Sequence, residues 1–248
     1  MAQQDITTGG IMVVGAHAGD AENMAAAVVL KHTRAGFPAT LLHLTLGEAG
    51  HPRMSPEDYA EQRKREVAES ARLMGATAHY FNYPDGQLPV NEEIKMQVAD
   101  LIRQARPAVV LTHWKGSLHK DHVAAYQIVE DAVFYAALPA IRRYAADGSP
   151  LAAHWARIYY PENWEDMEGW RADLYVDVAD VWDDYLAVLR SHEFIRGGIS
   201  TFRYLDYYSA LGVTRGCLAG RQRAVALMVQ PGSWVRQLDY LPGLEPVR

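Results

Sequence analysis

The feature that most constrains the fold is a repeated change of period in the first 135 residues, where short β-rich runs alternate with longer amphipathic segments. That alternation predicts parallel strands joined by crossover helices, an α/β, Rossmann-like layered fold with a mainly parallel sheet and a C-terminal α/β elaboration. Ile11-Met12-Val13-Val14 is almost wholly apolar, as a strand covered on both faces must be. A helix follows from Asp20 to about Ala35, with Gly36 as its stop and Lys31, His32 and Arg34 set against its dipole. Ala39 to Leu46 is a second strand, and Ser55 or Asp58 caps a second helix that runs to Met74 and Gly75. Ala78 to Tyr83 forms a third strand ending in the turn Tyr83-Pro84-Asp85-Gly86. A helix over Glu92–Ala105, a strand over Ala108–Thr112, a His-bearing loop from His113 to His122 and a helix from Val123 to about Tyr135 complete the pattern.

Past residue 140 the periodicity weakens. Strands are expected at Arg157–Tyr160 and Leu174–Val178, a helix at Val181–Arg190, and two helices between Gly197 and Met228 around Gly212 and Gly220. No linker separates these parts, so one domain over 1–248 is expected, with a core at about 10–135, an elaboration at about 136–230 and a loop-like tail at 231–248.

A net charge of −6 with no local Lys/Arg cluster argues against nucleic acid as a partner. The one basic run, Arg63-Lys64-Arg65, reads as a salt-bridged helix surface with Glu61, Glu66 and Glu69. Cys217 is the only cysteine, which removes an internal disulfide and a thiolate cluster and fits a reducing cytoplasm. The polar start lacks an apolar leader, and nowhere do about 18 uncharged apolar residues run together, so neither secretion nor a membrane is expected. A small-molecule substrate and a homo-oligomeric assembly are the partners left.

In open parallel sheets ligands bind beyond the carboxyl ends of the strands. Strand one leads into Gly15-Ala16-His17-Ala18-Gly19-Asp20-Ala21-Glu22, and strand four into His113 and His119-Lys120-Asp121-His122. A lone histidine is more often bonded to backbone than to metal. Imidazoles and carboxylates gathered at two strand ends that a parallel sheet can set side by side form a His/His/Asp mixture suited to a divalent ion with one open position.

These segments resemble the PIG-L/LmbE-like metal-dependent N-deacetylases. AHAGDAE at 16–22, LTLGEAGHP at 44–52, YPDG at 83–86 and HKDH at 119–122 match that family's motifs in order, and RGCLAG at 215–220 is similar to a tail element. The resemblance implies hydrolysis of an N-acetyl amide on an amino-sugar conjugate by a metal-bound hydroxide. Metal ligands would be His17, Asp20 and His122, the ion Zn²⁺ with Fe²⁺, Mn²⁺ or Co²⁺ as alternatives. His119 would stabilise the transition state, supported by Asp121, Glu22 would serve as a helix N-terminal or outer carboxylate, and Arg63, Arg65 and Glu66 fall where relatives carry polar residues near the substrate, with helix surface as the equal alternative. At one position the chain departs: Gly19 stands where the family carries its general-base Asp, and Ala18 where it carries Pro. A general base contributes ~10²–10⁴-fold, so a surrogate is required, Glu48 first, then Asp121 or Glu22. Without one, the chain would be a binding module that holds the metal and turns nothing over. A Rossmann-type nucleotide site does not fit, since strand one lacks G-x-G-x-x-G. Trp155, Tyr159, Tyr160, Trp164 and Trp170 are expected chiefly in the core, with sugar stacking as their alternative use.

Overall fold

The computed structural model describes residues 9–232. The start of the chain and most of the expected loop-like tail, from 233 onward, lie outside the described residues. In chain order the elements are β1 (Gly10–Gly15), α1 (Asp20–Arg34), β2 (Ala39–His43), α2 (Pro56–Met74), β3 (Thr77–Tyr80), α3 (Glu92–Ala105), β4 (Pro107–Thr112) and α4 (Lys120–Ala137). They continue with β5 (Arg143–Tyr144), β6 (Pro150–Leu151), β7 (Arg157–Pro161), β8 (Leu174–Asp177), α5 (Trp182–Arg190), α6 (Tyr204–Ala219) and β9 (Ala224–Val229).

The main sheet is seven-stranded in the order β3-β2-β1-β4-β7-β9-β8. Its first five strands are parallel, while β9 runs antiparallel between β7 and β8. Period-2 alternation assigns the two faces of the central strands. Ile11, Val13 and Leu41 pack under α1, α2 and α5, and Met12, Val14, Leu42 and Val110 pack under α3 and α4. Because both faces are covered, these strands are apolar throughout.

Strand order runs outward from β1 to β3 and then restarts on the other side of β1 with β4. That reversal opens a crevice beyond the carboxyl ends of β1 and β4. The two motif-bearing segments therefore leave neighbouring strands into one space.

Local chemistry accounts for the helix starts. Ser55 caps α2 by accepting the Asp58 N–H at 3.1 Å with Pro56 behind it, and Asn91 caps α3 by accepting the Ile94 N–H at 3.2 Å. Three expectations are corrected. The helix placed from Val123 begins at Lys120, because His119 is itself the cap and its Nδ1 accepts the Asp121 N–H at 3.2 Å. Asp121 and His122 consequently sit on a rigid first turn. The second of the two helices expected by Met228 is β9 instead. A continuous apolar run such as AVALMV has no period that tells helix from buried strand. Gly212 is not a break either: α6 passes through it, since a Cβ there would lie 2.2 Å from the Trp182 ring.

Candidate metal and active site

Asp20 is the first residue of α1, and one of its carboxylate oxygens gathers the site. Oδ2 accepts the His17 N–H at 2.7 Å and lies 3.1 Å from His17 Nδ1, 3.3 Å from His122 Nε2 and 3.3 Å from His113 Nε2. The rings are packed on one another. His113 stacks on His122 with centroids 3.8 Å apart, and His119 lies 4.6 Å from His17 and 4.8 Å from His122. His17 and His122 come from different strand ends, as the sheet reversal requires. Two groupings, His17/His119/His122 and Asp20/His113/His122, bring nitrogen and oxygen donors within 4.8 Å of one another, as does His17/Asp85/Asp121.

Outer groups fix the orientation of these rings. Ser117 Oγ and Glu165 Oε2 lie 3.2 and 3.0 Å from His122 Nδ1. On His17, Nε2 faces Asp85 Oδ1 at 3.2 Å and Asp121 Oδ2 at 3.3 Å. Asp121 is fully buried, accepts the Gly86 N–H at 2.8 Å and keeps Oδ1 without a protein partner. Its carboxylate is thus directed to His17, and its bond to His119 runs through its backbone N–H. His113 accepts the Ala16 N–H through Nε2 at 3.0 Å, which ties it to the loop.

The electrostatics favour positive charge here. Burial disfavours the charged ring of His17, but Asp20, Asp121 and Asp85 outweigh it and hold its pKa well above the ordinary value. His122, also opposed by burial, is lifted to about 9 by Asp20 and Glu165. Burial opposes ionisation of Asp20 too, yet His122 and His17 keep it well below the usual carboxylate range. Burial and the neighbouring His122 drive His113 down to about 4, and burial with His17 and His122 lowers His119. Stabilised protons, an orphaned buried carboxylate oxygen and a His/Asp donor set fit a divalent cation, whose binding displaces such protons.

The rings border a cavity of about 240 Å³, lined by His17, Asp20, Asp85, His119, His122 and Glu165 and also by Tyr59, Arg63, Phe194, Ile199, Ser200 and Tyr204. Glu48 does not line it. Its carboxylate accepts the Asp85 N–H at 2.9 Å and faces an adjoining hollow bounded by Leu46, Ala60 and Tyr83. Asp85 returns the contact by accepting the Ala49 N–H at 3.1 Å, so the loop after β2 and the YPDG turn clasp each other. Glu22 is fully buried beneath the 16–20 loop, where it accepts the Ser70 hydroxyl at 2.6 Å and lies 3.4 Å from His192.

Sequence reasoning missed Asp85 as a site residue although it lies inside a quoted motif. Glu165, Phe194 and Tyr204 carried no local signal at all. Of the two readings for Arg63 and Glu66, the helix surface fails: both are buried and paired at 2.5 Å, and Arg63 lines the cavity, while Lys64 and Glu61 form the exposed pair expected there. The second-half aromatics behave as core or surface: Tyr160 is fully buried, Trp155 is exposed, and none of the five lines the cavity.

The family model described as PIG-L, GlcNAc-PI de-N-acetylase, matches residues 12–133, the span that carries every motif at the crevice. The chain belongs to the PIG-L/LmbE-like family. Similarity to individual proteins extends beyond that span. A 4-oxalmesaconate hydratase of Pseudomonas putida is 24% identical over 95% of this chain and 88% of its own length. A diacetylchitobiose deacetylase of Thermococcus kodakarensis is 25% identical over 90% and 83%. Among solved structures, a 4-carboxy-2-hydroxymuconate hydratase of Pseudomonas putida superposes with a TM-score of 0.77 at 21% identity, covering 94% of this chain and 99% of that one. The PIG-L relatives are enzymes, and both deacetylases and hydratases occur among them. No helix among the described residues is long and apolar enough to cross a membrane.

Proposed function

We propose that this PIG-L protein is a metal-dependent hydrolase that cleaves an N-acyl, most simply N-acetyl, amide on a small polar molecule containing an amino sugar. The observation that carries this reading is the convergence of His17 Nδ1 and His122 Nε2 on Asp20 Oδ2, at 3.1 and 3.3 Å, on the floor of the cavity. In this reading His17, Asp20 and His122 hold one divalent ion, zinc by preference, with Fe²⁺, Mn²⁺ or Co²⁺ accepted by the same donors. When bound, the ion supplies Lewis acidity toward an acyl carbonyl and toward water. His113, Asp121 and Glu165 keep the ligand rings in place through the contacts described above.

His119 is the hydrogen-bond donor assigned to the reaction. Its Nδ1 accepts the Asp121 N–H, so the hydrogen resides on Nε2, and its lowered pKa keeps the ring neutral at pH 7. A neutral Nε2–H suits stabilisation of a developing oxyanion. For proton acceptance the cavity offers Asp85 in place of the absent side chain at 19, and Glu48 clamps the turn that carries it. Substitution separates these roles: Asp85→Asn costs more than Glu48→Gln if Asp85 takes the proton, and the reverse order returns that role to Glu48. The single free cysteine, Cys217, fits a reducing cytoplasm as the site of action.

A second reading, addition of water to an activated carbon–carbon double bond, has one specific support. The chain lacks the amide hydrolases' carboxylate at position 19 and aligns with a hydratase along 95% of its length. Zinc-loaded protein should therefore be given a panel of N-acetylated amino sugars and, separately, a conjugated unsaturated polycarboxylate. Release of primary amine supports the hydrolase; loss of the conjugated ultraviolet absorbance supports the hydratase. Stoichiometric zinc with neither signal makes the chain a binding module, and no bound divalent metal in a metal-replete preparation overturns the hydrolase and the binding-module readings.

A further inference from the structure

Gly19 lies between His17 and Asp20 with φ +97°, a left-handed conformation that side chains rarely adopt. The space in front of it is taken. A Cβ built there would lie 2.5 and 2.7 Å from Cε1 and Cζ of Phe194 and 3.0 Å from Arg63 Nη2. The Phe194 ring is fixed from two sides, by the Arg63 guanidinium at 4.7 Å from its centroid and by Tyr204 edge-on at 5.1 Å. Arg63 cannot swing away easily, because it donates to Ala18 O and to Glu66 Oε2. With Ile199 and Tyr204, Phe194 supplies apolar surface to the cavity that His17, Asp20, His119 and His122 also line.

We propose that Phe194 is the specificity-determining residue of this cavity. Its ring occupies the volume vacated at position 19, closes the apolar end, and limits the acyl group seated there to a short one. The proposal rests on the reading of the cavity as an acyl-binding site beside the metal. An acetyl methyl fits against the ring edge, whereas a longer chain meets a wall held in place by cation–π and edge-to-face contacts. Each methylene that gains a buried place is worth about fourfold in affinity, so opening the wall should be legible as a chain-length shift.

The test uses the zinc-loaded protein and three probes of one chemistry, acetohydroxamate, butyrohydroxamate and hexanohydroxamate, with affinities measured by calorimetry. Phe194→Ala and the milder Phe194→Leu are compared with wild type, and the Leu variant decides if the Ala variant fails to fold. Wild type should prefer acetohydroxamate over hexanohydroxamate by about tenfold or more, Phe194→Leu should narrow that ratio, and Phe194→Ala should erase or invert it. Hydroxamates that bind with the same chain-length ratio in wild type and both variants overturn the role of Phe194 alone. Failure of all three probes to bind any zinc-loaded form overturns the acyl-site reading and the proposal with it.

Discussion

Two clusters built from the same residue types lie one above the other. The upper one, His17, Asp20, Asp85, His119, His122 and Glu165, faces the cavity. The lower one, Glu22, His43, His192 and Glu66, is buried among α1, β2, α2 and the segment after α5, with Arg63 joining it to the cavity lining. In the lower cluster the interactions run inward: His192 lies 3.4 Å from Glu22 and 3.6 Å from Glu66, while His43 Nδ1 donates to His17 O at 3.2 Å and Arg63 to Ala18 O. It grips the two carbonyls that precede Gly19. In the upper cluster donors converge on a point that solvent and a ligand can reach. Histidine and carboxylate content does not distinguish chemistry from scaffold here; access and convergence do.

The sharpest way to break that contrast is to remove one member from each cluster. His122→Ala should lose stoichiometric zinc and, with it, several kcal/mol of transition-state stabilisation, on the order of 10³-fold in rate, in protein that still folds. Metal analysis and turnover, read beside calorimetry, check this. Glu22→Ala should do the opposite. It leaves His192 and His43 buried without their carboxylate, at a cost of about 3–5 kcal/mol in denaturant unfolding, so any loss of zinc should follow loss of fold.

A third experiment uses pH. Burial pushes the Glu66 carboxyl up, but His192 and Arg63 outweigh it and hold it at about 2, below its ordinary 4.5. A carboxyl depressed in the folded protein stabilises it above the unfolded pKa and loses that contribution as pH falls from 4.5 through about 2. The full contribution is about 3 kcal/mol. Glu66→Gln should be less stable at pH 7 and should show a flatter acid limb. An unchanged limb would mean that the lower cluster does not couple to protons as its geometry requires.

The smallest expected effect tests the floor between the clusters. Gly19→Ala should cost about 1–3 kcal/mol through its left-handed backbone and the contact with Phe194. Adding Phe194→Ala should recover the contact and leave the backbone strain, which a double-mutant cycle measures. Gly19→Asp is expected to gain no activity, because the position that resembles the family's base site is sterically closed.

Much of the fold could be read from local pattern. The Glu92–Ala105 helix, the Ser55 cap, the Gly75 stop and the strands around Ile11, Ala39 and Val109 each depend on residues within one turn or one pleat of themselves. β9 could not be read, because a strand buried on both faces has no period, and only its insertion between β7 and β8 identifies it. Helix α4 begins earlier than pattern suggested because a histidine serves as its cap, a use that capping preferences do not anticipate.

By itself the sequence determined that His17, Asp20, His119, Asp121 and His122 would follow the carboxyl ends of two parallel strands at one sheet edge, since βαβ order and motif position dictate that much; that the two strands are neighbours was decided by the sheet order. Only the tertiary structure decided what surrounds them. Glu165 reaches His122, Asp85 reaches His17, Glu48 turns to the adjoining hollow, and Phe194 fills the space at Gly19. These contacts join segments distant along the chain, and periodicity carries information only between near neighbours.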